Sequence, residues 1–315
     1  MIGISNLTRR KKIGLFLTVI IVAIGIVLYL LADRYLIEHV EVNVAAQKTP
    51  AADEESTTSA EQVQVQQDDW NYSSADTSIH IEKVETGSGS DKITYFVADV
   101  QLEKAGLLQS AFAKNAFGRN ITENTSTIAA DNQAILAING DYYGFRDDGV
   151  IIRNGTLYRD EPARDALALL ADGTLQSYNE EQLSSSELLA EGVTNTYSFG
   201  PVLVKDGEIA GDFDKVVIDT NFGNRSIQGS NPRTGIGMIA PNHFVFVVVD
   251  GRKNNYSKGM TLSEFANVFT ELGATEAYNL DGGGSSTMYF MGRVVNNPQG
   301  KQQERGVSDI IYISE

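Results

Sequence analysis

Three observations predict an α+β fold: a single mixed-sheet domain with few helices, standing behind one N-terminal transmembrane helix. Residues 13–31 run nineteen positions without a charge. Short runs rich in β-branched and aromatic residues recur from residue 79 onward, as pleated surfaces favour. Only two later stretches, 180–190 and 262–272, carry helical periodicity.

The apolar run is about the length that crosses a bilayer core as a helix. Arg9, Arg10, Lys11 and Lys12 precede it, so residues 1–12 read as a cytoplasmic basic tail and everything beyond the span as extracytoplasmic. A cleaved signal peptide is the alternative, but the run exceeds the usual apolar region of about 7–15 residues and no A-x-A site follows. The expectation is a single-pass signal anchor in the cell membrane.

Residues 32–67 read as a stalk. Their larger part, 45–67, is polar and without aromatics, a composition that cannot bury enough surface to fold. The domain proper is expected over 68–315, long enough to build a core without staples. The absence of cysteine excludes disulfides and thiolate chemistry and suits a bacterial exterior. The net charge is −16, and removing the +4 of residues 1–12 leaves −20 outside. That surface repels nucleic acid and anionic lipid, so an anionic substrate needs a local group of arginines.

Within the domain, strands are expected at 79–85, 93–102, 134–139, 202–205, 234–239 and 244–250. The 262–272 helix has the stronger signature. Thr261 and Glu264 form a capping box, Leu262, Phe265, Ala266, Phe269 and Leu272 share a face, and Gly273 stops it. Strand 244–250, this helix and strand 275–280 make a βαβ-like unit that places Asp250 and Asp281 at two neighbouring strand ends, where ligands of α/β sheets collect.

Polar residues concentrate beside glycine in four places. Asn139-Gly140-Asp141 ends one strand, with Asp147 and Asp148 beyond it in a turn. Arg233 starts another strand within NPRTGIGM, and Asp250 and Arg252 flank a glycine. Asp281 precedes Gly282, Gly283 and Gly284, followed by Ser285, Ser286 and Thr287. Three glycines at a strand end are costly unless the backbone turns at positive φ or presses on a ligand, and successive N–H groups there can form an anion nest. Glu304 and Arg305 in QERGV are expected to approach that loop. No G-x-S-x-G elbow, Walker motif or dinucleotide fingerprint occurs, and three histidines leave no basis for a Ser-His-Asp triad or a His-rich zinc site. What remains is a carboxylate–arginine site. Paired carboxylates suit glycosyl transfer, and guanidinium forks suit phosphate.

NGDYY, SFGPVLVKDG, RTGIG, VVVDGR, the S-x-G-M-T-L-x-E-x-A helix start, NLDGGGSSTM and ERGVSD fall in order over roughly residues 130–315. Together they resemble the phosphodiester glycosidase family, whose bacterial members are often called exopolysaccharide biosynthesis proteins. NGDYY departs from the NGG that many relatives carry, and ERGV from ERPV. The resemblance implies hydrolysis at the anomeric carbon of a sugar (N-acetylglucosamine-like) phosphodiester, in a surface polysaccharide or teichoic-acid-like polymer. The expected catalytic set is Asp281 as nucleophile or base, with Asp250 or Glu304 as its partner and Asp141 beside them. The expected substrate-binding set is Asn139, Gly140, Arg233, Arg252, Asn279, Gly282, Gly283, Gly284, Ser285, Ser286 and Arg305, with the arginines clamping phosphate. No cofactor is required; a divalent cation on Asp250 and Asp281 is the open alternative. A surface-polymer transferase and a non-catalytic carbohydrate-binding wall module are the rival readings.

Overall fold

The computed structural model describes residues 9–44, 65–218 and 227–314. Residues 1–8 of the basic tail and 45–64 of the expected stalk lie outside them. The chain is a mixed α+β protein, mostly sheet, with four α-helices among the described residues. Helix α1 (Arg9–Tyr35) is followed in the domain by α2 (Thr125–Asp131), α3 (Ser185–Ala190) and α4 (Leu262–Glu271).

The domain stacks in layers. A nine-stranded sheet faces a five-stranded sheet, and between them lies the largest core cluster, including Phe96, Leu136, Ile138, Ile236, Phe246, Met288 and Ile311. Helix α4 covers the far face of the large sheet, where Phe265 and Phe269 pack with Val245, Val247 and Val249. Helix α2 covers the far face of the smaller sheet through Ile128 and Ala129. The His243–Val249 strand, HFVFVVV, is buried along nearly its whole length because successive side chains enter opposite cores.

The predicted βαβ relation takes a particular form. His243–Val249 and Glu276–Asn279 each pair antiparallel with Arg233–Ala240. They are therefore parallel to each other with that strand between them, rather than neighbours. Both carboxyl ends and the start of the central strand fall at one sheet edge, which collects Asp250, Arg233 and Asp281. The glycines of RTGIG serve packing: a Cβ on Gly235 or Gly237 would come within 2.9 or 2.8 Å of Phe265 or Phe269. They let α4 lie close on the sheet, and burying Phe265 there contributes about 2–3 kcal/mol.

The expected α4 capping box is present, Thr261 Oγ1 accepting from Glu264 N and Glu264 accepting from Thr261 N. The expected 180–190 helix is shorter, since it starts after the Ser184 N-cap. Glu180 is instead buried, accepting from Val150, Ala163 and Arg164 N–H. The stalk reading also changes. The His39–Asn43 strand pairs with Ala116–Arg119, so the chain re-enters the domain four residues after α1 ends.

Candidate active site

The sheet edge opens on a pocket lined by Asp281, Gly282, Gly283, Arg233, Arg252, Arg305, Asn279, Asn231, Pro232, Tyr142 and Phe199, with Leu280, Ile218 and Ile227.

Asp281 is the carboxylate of this lining. Ser285 Oγ donates to its Oδ2 at 2.6 Å and Arg305 Nη2 does so at 3.0 Å. Arg305 Nε and Nη2 also donate to Ser285 Oγ, so a serine bridges carboxylate and guanidinium. Burial pushes the Asp281 carboxyl above the ordinary aspartate range, and Arg305 pulls in the opposite sense without prevailing.

The glycine loop leaves room for two of the arginines, Arg252 beside Gly283 and Arg305 beside Gly284. Gly283 has φ +66, and a Cβ there would meet Arg252 Nη2 at 3.1 Å; only glycine combines that backbone with so close a guanidinium. The expected anion nest is reduced, because Gly283 N donates to Pro232 O and Ser285 N to Gly282 O. Arg252 holds φ +61 and donates to Asn231 Oδ1 at 2.9 Å. Arg233 is buried and donates to the carbonyls of Met260, Ile227 and Gly229. Desolvation, then the nearby Arg252 charge, lowers its pKa to about 10. It is a brace for the pocket wall as much as a clamp.

The other sequence candidates separate from the pocket. Asp250, expected as the catalytic partner, accepts from Asn296 Nδ2 (2.9 Å), Tyr256 OH (2.7 Å) and Asn297 N (3.0 Å). It ties its strand end to the 296–297 loop, and burial raises its pKa. Glu304 accepts from Ser126 N at 2.9 Å and from Ser126 Oγ, so it caps α2 instead of lining the pocket. Asp141 accepts from Ser198 N at 2.7 Å and Tyr142 N at 2.6 Å, and stands 3.6 Å from buried Arg153. Arg153 also pairs with Asp309 at 2.8 Å, whose carboxyl burial pushes up to about 6. Each of these three carboxylates is held by structural partners.

Asn139 is a cross-brace: it donates to Asp281 O at 2.6 Å and accepts from Thr234 Oγ1 at 2.7 Å and Thr287 N. Gly140 gives room to Asp309, and Gly284 to the Arg305 side chain. Asn279 lines the pocket and donates to Gly200 O at 2.7 Å. Ser286 is buried, its carbonyl accepting from Asn296. Among the described residues no group of three or more His, Cys, Asp or Glu side chains converges; Asp250 is engaged by Asn296, Asn297 and Tyr256, and Asp281 by Ser285 and Arg305.

Three residues on this wall escaped the sequence reading. Tyr142 and Phe199 form the aromatic side of the pocket, and the Arg146 guanidinium lies over both rings, at 5.1 and 4.9 Å. The signal was present in NGDYY and SFGP, where aromatics adjoin strand-end glycines.

One pocket thus holds a desolvated aspartate, three arginines and an aromatic wall. The phosphodiester glycosidase family model matches residues 132–314, more than half of the chain, and the chain belongs to that family, a family of hydrolases. The SPbeta prophage-derived uncharacterized protein YomE of Bacillus subtilis (strain 168) is 29% identical over 245 residues, 70% of this chain and 36% of that protein; the chain therefore spans about a third of that relative's length. Among solved structures, the catalytic domain of zebrafish N-acetylglucosamine-1-phosphodiester α-N-acetylglucosaminidase, auto-inhibited by its pro-peptide, superposes with TM-score 0.62 at 21% identity. That match covers 77% of this chain and 84% of that one. An exported protein of Burkholderia pseudomallei K96243 superposes at 0.52 and 16%, over 71% and 74% of the two chains. At such identities these two share the fold.

Proposed function

We propose that this protein is a membrane-anchored, extracytoplasmic hydrolase that cleaves the anomeric carbon–oxygen bond of an N-acetylglucosamine-like glycosyl phosphodiester in a cell-surface polymer. The observation that carries the reading is Asp281, desolvated and gripped by Ser285 and Arg305, in one pocket with Arg233 and Arg252.

The sugar stacks against Tyr142 and Phe199, and the phosphodiester faces the arginines. Asp281 takes a proton from a water that attacks the anomeric carbon. The electron pair of the breaking bond leaves on the phosphate oxygen, giving a free sugar and a phosphomonoester. A phosphomonoester with its second pKa near about 6 leaves without a proton, so guanidinium charge stands in for a general acid. One carboxylate then suffices, in keeping with Asp250 and Glu304 being engaged elsewhere. Raised basicity suits Asp281 to accept a proton near neutral pH. The cationic wall stabilises charge that develops only as the bond breaks.

The test is sugar release from methyl α-N-acetylglucosaminyl phosphate by the full chain. Wild type is expected to turn over, with Asp281→Asn slower by about 10²–10⁴-fold, the usual contribution of a positioned base. Release that survives Asp281→Asn would sink the proposal.

A further inference from the structure

Helix α1 spans 27 residues, about 40 Å at the helical rise, against a bilayer core of about 30 Å. Within its apolar part, Ile13–Tyr35, an 18-residue stretch has mean hydropathy 3.0 and nothing buried against the protein. Tyr29 and Tyr35 are exposed toward its C-terminal end, where aromatic side chains mark a membrane interface.

The domain is fastened directly to that end. Asn120 Nδ2 donates to Asp33 O at 3.1 Å and to Ile37 O at 2.9 Å. Glu38 pairs with Lys114, and His39–Asn43 joins Ala116–Arg119 as a two-stranded sheet. Leu36 and Val40, just beyond the helix end, are 77% and 59% exposed. A cavity at the junction is lined by Leu30, Arg34, Arg119, Asn120 and Phe145, among others. Phe145 stacks on Tyr142 of the active-site wall with ring centroids 4.8 Å apart. One loop, 142–147, therefore separates the catalytic pocket from the end of the membrane helix.

A freely tethered domain carrying most of the −20 outside charge would stand away from an anionic leaflet. Direct docking through α1 removes that freedom and keeps the pocket near the helix end, one loop away.

Resting on the proposed function, we infer that the substrate is a lipid-carried glycosyl phosphodiester: a sugar joined through its anomeric carbon to a phosphate whose other ester is a membrane-embedded chain. The carrier remains in the bilayer beside α1 while the sugar and phosphate enter the pocket. Hydrolysis leaves the lipid as a phosphomonoester in the membrane and releases the sugar to the outside.

The experiment uses the full chain in phosphatidylcholine–phosphatidylglycerol vesicles. Turnover of α-N-acetylglucosaminyl phosphoryl-polyprenol is compared with that of methyl α-N-acetylglucosaminyl phosphate. Two variants loosen the docking without touching the pocket: a twelve-residue Gly/Ser insert between Tyr35 and Leu36, and Asn120→Ala. The unmodified chain is expected to favour the polyprenyl substrate by about tenfold or more, through its fixed position at the surface. Both variants should lose most of that preference and keep the methyl-ester rate. Methyl-ester turnover without polyprenyl preference, or a preference that survives both variants, overturns the inference alone. Failure of the unmodified chain on both substrates overturns the function as well.

Discussion

Asp281 and Asp250 look alike in sequence, each an aspartate before glycine at a strand end, and only their partners tell them apart. Asp250 accepts from three donors that no substrate could displace cheaply, whereas Asp281 Oδ2 is held by the half-exposed Arg305 and by Ser285. Two isosteric variants should therefore diverge. Asp281→Asn lowers kcat by about 10²–10⁴-fold, while Asp250→Asn keeps kcat within about tenfold and lowers Tm, since unmatched buried donors cost about 1–3 kcal/mol. Paired kinetics and thermal melts check this. The pH profile follows from the same environment. A base works only when ionised, so activity falls as pH drops through the folded pKa of Asp281, which burial has raised. Arg305 opposes that rise, so Arg305→Ala should move the acidic limb to higher pH. The stability sign runs the other way: with the folded pKa above the unfolded one, ionisation on raising pH weakens the fold. Asp281→Asn should accordingly melt no lower than wild type at neutral pH.

At the scale of elements, what was legible was local. The α4 capping box spans three residues, and the cost of three adjacent glycines is written into NLDGGGSST. What was not legible depended on distant partners. Arg153 sits in the GVIIRNG hairpin, ordinary in sequence, yet pairs with Asp309, 156 positions away, and with Asp141. Asp141 was read as catalytic because nothing local reveals that arginine. Helix α2 escaped notice because its first turn is capped from Glu304, far along the chain. Arg153→Met should leave two buried carboxylates without their counter-charge and destabilise the domain by about 3–5 kcal/mol, read as a fall in the denaturant midpoint. An unchanged midpoint would mean that the triad contributes little.

For the molecule as a whole, the fold explains why the site lies where it does. Two parallel strand ends and the start of the strand between them converge at one edge. The glycine loop lets Arg252 and Arg305 lie close to that edge, and the 142–147 loop closes it on the side facing α1. The central claim is that the bond broken is the sugar carbon–oxygen bond, with Asp281 activating water. Hydrolysis of methyl α-N-acetylglucosaminyl phosphate by the full chain in ¹⁸O-water tests it most directly. The account predicts the heavy oxygen on C1 of the released sugar, and none in the methyl phosphate. Label appearing in the phosphate would mean phosphorus–oxygen cleavage and would contradict it.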